Sequence, residues 1–336
     1  MRLAVDAWNL VDDRRGMGRY VRRILEDWQD ESDLDITLIV RKAPHIETLR
    51  DEFPYAVGTA VAGTFDAAWF PWNAMRFDVP NARSTVVFHD AFAFTHPHRE
   101  FIARWREQTP IRRAMDRANE RAVNSHWSAT ELARVFKRDA RDFTVIQPVP
   151  DPFWMPVPGR SAPPYVLVVA GPEERKNVPT LVRAFARAFT RGECELVVAG
   201  NVSANDGWLL ERSGIRYERV RADDDALRSL YGGALAVAVP SLAEGYGIMA
   251  VEAMACGAPV IASNAAALPE ACDDAAILVP PLDVEAWAFA LERVVHDATL
   301  RETMREQSLA RAARIDRAEP ARLMLGLIRR SLEAVR

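Results

Sequence analysis

Five short, nearly uninterrupted apolar runs in the second half of the chain constrain the fold more than any motif does. They are YVLVVAG (165–171), CELVVAG (194–200), LAVAVPS (235–241), PVIAS (259–263) and AAILVPP (275–281). A strand that is apolar on both faces has to be covered on both faces, which places such runs in parallel sheets between layers of helices. The intervening segments, VPTLVRAFARAF and DDALRSLYGGA among them, carry the amphipathic spacing of covering helices. The first half repeats the arrangement less regularly, with strands expected at 3–5, 36–40, 67–71, 84–90 and 143–149. Val21, Ile24, Leu25 and Trp28 predict a helix from about Gly18 to Trp28, and 99–122 and 127–138 read as charged helices.

At 336 residues, two doubly wound α/β domains are expected, facing one another across a cleft. Seven of the 21 prolines fall between Pro148 and Pro164, a density that forbids a regular helix or central strand. That stretch predicts a linker at 151–164 between an N-terminal domain (1–150) and a C-terminal domain (165–315). A last helix at 316–336 is expected to pack back on the N-terminal domain.

Composition excludes several classes of function. A net charge of −4 provides no overall field for nucleic acid. Cys194, Cys256 and Cys272 are far apart and lack metal-ligand spacing, which predicts a reduced, cytoplasmic setting. The N-terminus does not read as a signal peptide, and no window approaches the roughly 18 apolar residues of a spanning helix.

In doubly wound sheets, ligands sit beyond the carboxyl ends of the strands. Two loops there carry chemistry. GPEERKN (171–177) sets Arg175 and Lys176 side by side before a helix, a fork and a point charge suited to a diphosphate. EGYGIMAVEAMACG (244–257) predicts a tight turn feeding a helix that starts near Gly247, whose unpaired N–H groups favour an anion. Glu252 falls among small and apolar residues of that helix. A buried carboxylate needs donors, and a ribose diol supplies two.

The stretch 223–270 resembles the donor-binding region of retaining, family-four glycosyltransferases of the GT-B fold, which carry a Glu-x7-Glu motif. Glu244, Gly245, Gly247, Glu252, Ala253, Met254, Ala255 and Gly257 match that motif, with Tyr246 where Phe is commoner. ERKN resembles the family's Arg-Lys pair, GMGRY its N-terminal glycine loop, and FHDAFAFTHP its His-Asp turn. The resemblance implies two Rossmann-like domains and a nucleoside-diphosphate sugar as donor. It implies that Glu252 holds the ribose and that Arg175 and Lys176 hold the leaving diphosphate. Glu244 and the backbone at Gly247, Ile248 and Met249 would hold the donor sugar and its phosphate. Gly16 and Gly18 would let their loop close over the diphosphate, and His89 would lie at the reacting face of the sugar. It further implies no cofactor, no metal, and same-face attack without a covalent intermediate. The GMGRY type of N-terminus resembles mannosyl- and rhamnosyltransferases of surface polysaccharide assembly, which makes GDP-mannose the first expectation for the donor. YERVRADDD (217–225) departs from the family's base-contacting turn and leaves the base open.

Other readings compete. Asp223, Asp224 and Asp225 satisfy an Asp-x-Asp chelate in form, but before ALRSLY they read better as a helix cap and first-turn acids. A nicotinamide enzyme would place its glycines directly after the first strand. A nucleotide-sugar epimerase of the same fold and a catalytically silent scaffold are the alternatives. For the acceptor, a glycan, lipid-linked or small-molecule species is expected. Residues 99–141 hold eleven basic and six acidic side chains, which read as a solvated helix face or as a peripheral contact with an anionic membrane.

Overall fold

The computed structural model describes residues 1–13, 16–160, 163–190 and 192–333, and the chain divides into two compact units, 1–149 with 317–336, and 150–316. The first unit runs β1 (Arg2–Asp6), α1 (Met17–Asp27), β2 (Asp35–Ile39), α2 (Pro44–Glu52), β3 (Ala56–Gly58), β4 (Ala67–Phe70), β5 (Arg83–Phe88), α3 (Phe92–Thr95), α4 (Phe101–Arg117), β6 (Glu120–Val123), α5 (His126–Phe136) and β7 (Thr144–Val145). Its seven strands are all parallel, in the order β3-β2-β1-β4-β5-β6-β7.

The second unit runs β8 (Tyr165–Ala170), α6 (Val178–Ala188), β9 (Glu195–Gly200), α7 (Ala204–Arg212), β10 (Tyr217–Val220), α8 (Asp224–Gly233), β11 (Ala236–Val239), α9 (Ile248–Ala255), β12 (Val260–Ser263), α10 (Leu268–Cys272), β13 (Ala276–Val279), α11 (Val284–His296) and α12 (Ala298–Ala313). Its strands too are all parallel, in the order β10-β9-β8-β11-β12-β13. Apolar side chains on both faces of each sheet are buried, so each unit has two core layers. The final helix, α13 (Glu319–Glu333), returns to the first unit and lies against α1 and strands β4 to β6. Trp28 donates its indole N–H to the Ala321 carbonyl at 3.0 Å and ties that helix down.

Two local expectations are corrected. Residues 120–123 form strand β6, paired with β5 and β7, where a continuous charged helix to 122 was expected. Glu120 and Arg121 occupy the half-buried start of that strand, and sheet pairing overrides their helical propensity. The proline-rich stretch is more than a connector, because it packs into the second unit through Trp154. That side chain is 1% exposed, its ring 5.1 Å from Phe153 and 5.6 Å from Tyr231. Arg228 stacks over the Phe153 ring at 4.0 Å and donates to the Phe153 carbonyl.

Trp154→Ala should therefore destabilise the second unit by about 3–5 kcal/mol, the usual cost of truncating a buried aromatic. The measurement is the urea midpoint of that unit's unfolding transition. A loss below about 1 kcal/mol would mean that Trp154 does not anchor this stretch.

Candidate active site

In the second sheet, β8 and β11 are neighbours in space but not in sequence, and the chain winds outward from them in opposite directions. Loops leaving the carboxyl ends of such a pair diverge and leave a crevice. Arg175 and Lys176 lie in the loop after β8, on a short 3-10 turn over Glu174–Lys176. Glu244 lies in the loop after β11.

Backbone contacts join the two loops. Leu242 donates its N–H to the Arg175 carbonyl at 2.7 Å, and the Arg175 guanidinium donates to the Ala243 carbonyl at 3.3 Å. Asn177 takes a left-handed backbone (φ 53°) between the 3-10 turn and α6. Its amide donates to the carbonyls of Pro240 and Pro281 at 2.9 and 2.7 Å, and its Oδ1 accepts from Thr180 at 2.8 Å. The residue thus bridges neighbouring loops.

Glu244, 8% exposed, is the charge centre of this arrangement. Its Oε1 accepts from Lys176 Nζ at 2.7 Å and Ser241 Oγ at 2.8 Å, and its Oε2 from Arg175 Nη1 at 3.1 Å. Burial alone would push this carboxyl up. Lys176 and Arg175 outweigh it, with hydrogen bonds from Lys176 and Ser241, and hold it below the usual carboxylate range. Glu244 thus faces two cations in a largely dry loop pair, and Arg175 also reaches Glu173 at 3.9 Å.

The Glu244 loop leads into α9 through Gly247. At φ 102°, and with an added Cβ falling 2.7 Å from Leu268 Cδ2, this position requires glycine. No side chain caps α9, so the N–H groups of its first turn, at Ile248 and Met249, lack a side-chain acceptor there. Glu252 sits one turn further on, 6% exposed, on a helix whose residues from Ala250 to Ala255 are all buried.

The remaining expected site residues belong to the first unit. His89 is 4% exposed just beyond β5. Pro71 O can only accept, so Nε2 carries the proton it donates there at 2.7 Å, and Nδ1 accepts from Asn124 Nδ2 at 2.8 Å. Burial lowers its pKa to about 4, against the pull of the Pro71 and Asn124 hydrogen bonds, so the ring is neutral at pH 7. Gly16 precedes α1 at φ 45°, with open space where a Cβ would be. A Cβ on Gly18 would lie 1.8 Å from the Asp13 carbonyl oxygen, so that glycine is a packing requirement of the loop.

Arg175, Lys176, Glu244, Gly247, Ile248, Met249 and Glu252 are thus brought to one end of the second sheet. Asp223 caps α8, accepting from the Ala226 N–H at 2.9 Å, and Asp225 pairs with Arg228. Among the described residues, no cluster of three or more His, Cys, Asp or Glu side chains could hold a metal. Sequence reading missed Ser241 and the bridging role of Asn177. A small polar residue ending an apolar strand run was the only local signal for the first.

A depressed folded-state pKa stabilises the protein above the unfolded value of about 4.3, and the gain is lost as pH falls through the folded value. Glu244→Gln removes that pH-dependent contribution and takes from Lys176 and Arg175 the buried carboxylate they share, an expected loss of about 3–5 kcal/mol at pH 7. Urea denaturation across acid and neutral pH checks both effects. Equal acid sensitivity in the variant and the wild type would remove the ion-pair account.

The family model described as "Glycosyl transferases group 1" matches residues 163–297. The chain is 29% identical over 264 residues to O-antigen chain mannosyltransferase B of Escherichia coli, covering 72% of this chain and 69% of that protein. It is 38% identical over 112 residues to D-inositol 3-phosphate glycosyltransferase of Saccharomonospora viridis, spanning only 26% of that protein's length. Among solved structures, the Anabaena HepE protein in complex with UDP-glucose superposes with a TM-score of 0.73 at 16% identity, over 99% of each chain. Residues 163–297 thus match the group 1 glycosyltransferase model, and the chain has the GT-B fold.

Proposed function

We propose that this chain is a retaining, family-four glycosyltransferase that moves a hexose from a nucleoside-diphosphate sugar to a glycan, lipid-linked or small-molecule acceptor without a metal ion. One observation carries the reading: Arg175 and Lys176 share Glu244 beside the start of α9, where a doubly wound sheet receives its ligand. Mannose from GDP-mannose is our choice of donor. The mannosyltransferase named above supports the sugar, and HepE's UDP-glucose complex supports a nucleotide-sugar donor in general.

The chemistry follows from charge. As the glycosidic bond breaks, negative charge grows on the departing diphosphate. Fixed cations and helix N–H groups in a low-dielectric site stabilise it without having to reorganise. Lys176 and Arg175 supply that charge, while Glu244 orients them and accepts from sugar hydroxyls. Glu252 accepts from the ribose diol. Neither glutamate is assigned as a covalent nucleophile, since each already has a binding duty. Attack from the same face, with the acceptor hydroxyl bonded to the leaving phosphate, then accounts for retention. We give His89 a positioning part, because a neutral ring with both nitrogens held by the protein has no free site for proton transfer.

We also propose peripheral membrane contact through residues 99–141. At the start of α4, Phe101, Ile102 and Trp105 are 70%, 63% and 57% exposed, interleaved with Arg104 and Arg106. Apolar insertion beside cations is how an amphipathic helix grips an anionic interface. No helix among the described residues is long and apolar enough to cross a membrane.

Purified protein should transfer sugar from one of GDP-, UDP-, ADP- or dTDP-linked donors in the presence of EDTA. Lys176→Ala should lower kcat more than it weakens donor binding, since its charge acts on the transition state. Glu252→Ala should weaken nucleoside-diphosphate binding by about 1.5–3 kcal/mol, read by calorimetry. A metal requirement abolished by Asp223→Ala, or wild-type kinetics in Lys176→Ala, would refute the mechanism. In sedimentation with anionic vesicles, Phe101→Ser/Trp105→Ser should release the protein, and raised salt should weaken what binding remains. Binding unchanged by both would end the membrane proposal.

A further inference from the structure

The first unit contains a cavity of about 620 Å³ that the donor chemistry does not use. Its walls come from the segments after β1, β2 and β4, with one face of α4. In this sheet β1 and β4 are the neighbours from which the chain winds in opposite directions. The cavity therefore occupies the place in the first unit that the Arg175–Glu244 cluster occupies in the second.

Five cations line it, Arg41, Lys42, Arg76, Arg113 and Arg117, against two carboxylates, Asp12 and Asp78. Asp78 pairs with Arg117 at 2.5 Å, and the fully buried Asp6 holds Arg76 at 3.5 Å. Arg41, Lys42 and Arg113 have no ion pair among the described residues, so the cavity keeps an excess of positive charge. Two of these cations lie close to aromatic rings. Arg41 and Arg76 each stand 5.9 Å from the Trp8 ring, and Arg76 is 6.0 Å from that of Trp72, whose indole N–H is bonded to the Asp6 carbonyl. Two further polar atoms, Trp8 Nε1 and His45 Nδ1, are buried without a hydrogen-bond partner among the described residues. Met75 and Phe77 supply an apolar flank.

We infer that this cavity binds a phosphate or diphosphate group joined to a less polar body. Resting on the glycosyltransferase reading, we take that molecule to be the acceptor. Guanidinium forks match phosphate oxygens, and the volume lies within the range of small-molecule sites. The phosphate belongs either to a lipid-linked sugar or to a free sugar phosphate.

The test uses the full chain with Arg175→Ala and Lys176→Ala, so that the donor cluster no longer takes the anion. Calorimetry with inorganic pyrophosphate should still show binding, weakened at least tenfold by adding Arg41→Glu and Arg113→Glu. Tighter binding of geranyl diphosphate than of pyrophosphate assigns the lipid-linked source, and tighter binding of a hexose 1-phosphate assigns the free one. In the otherwise wild-type enzyme, Arg41→Glu/Arg113→Glu should raise the KM for a phosphorylated acceptor at least tenfold and leave nucleotide affinity unchanged. No pyrophosphate binding in the donor-cluster variant, or indifference to charge reversal at Arg41 and Arg113, overturns the site. Pyrophosphate binding at Arg41 and Arg113 in a protein that transfers no sugar would uphold the site and reject the enzyme reading. Sugar transfer to neutral acceptors with unchanged KM in the variant would do the reverse.

Discussion

Arg175 and Lys176 are adjacent in sequence, mostly buried, and of the same sign, a combination stabilised by the buried Glu244 carboxylate that both of them reach. Isolated ions in such a loop would each face a desolvation cost of several kcal/mol. With the carboxylate present, each cation keeps a charged partner, and Ser241 adds a hydrogen bond. The price of this arrangement is rigidity, since the loops after β8 and β11 must be held together by Leu242, Arg175 and Asn177. That rigidity is also what transition-state stabilisation by fixed charges demands.

Both units place their chemistry at the same topological position. In each, a parallel strand order reverses between two central neighbours, β1 and β4 in one and β8 and β11 in the other. The second unit puts a compact cluster of two cations and a glutamate there, beside the uncapped start of α9. The first puts a wider basic cavity there, walled with tryptophan and phenylalanine. The difference lies in the loops and, in the first unit, in helix α4, whose Arg113 and Arg117 line the cavity.

Glycines at the loops serve distinct physical ends. Gly247 combines a left-handed backbone with a close approach to Leu268, so it forms the turn into α9. Gly18 has an ordinary backbone but leaves no room for a Cβ against Asp13. At Gly18 the residue is needed for packing whatever ligand the loop meets.

Strand and helix alternation, the turn before α9, and the burial of Glu252 were all legible in the sequence, because apolar runs and small-residue patterns are local signals. Asp223 as a cap was legible for the same reason. The misread elements share a cause as well. Glu120 and Arg121 look helical until β5 and β7 claim that segment as a strand, and prolines around Trp154 look like a linker until its ring enters a core. What only the tertiary structure decided is partnership over distance. Glu244 meets cations 68 and 69 residues away, and the basic cavity gathers side chains from β1, β2 and β4 loops and from α4. Coulomb attraction, unlike hydrophobic periodicity, carries no register along the chain, so such pairs become visible only once the sheet has brought the strand ends together.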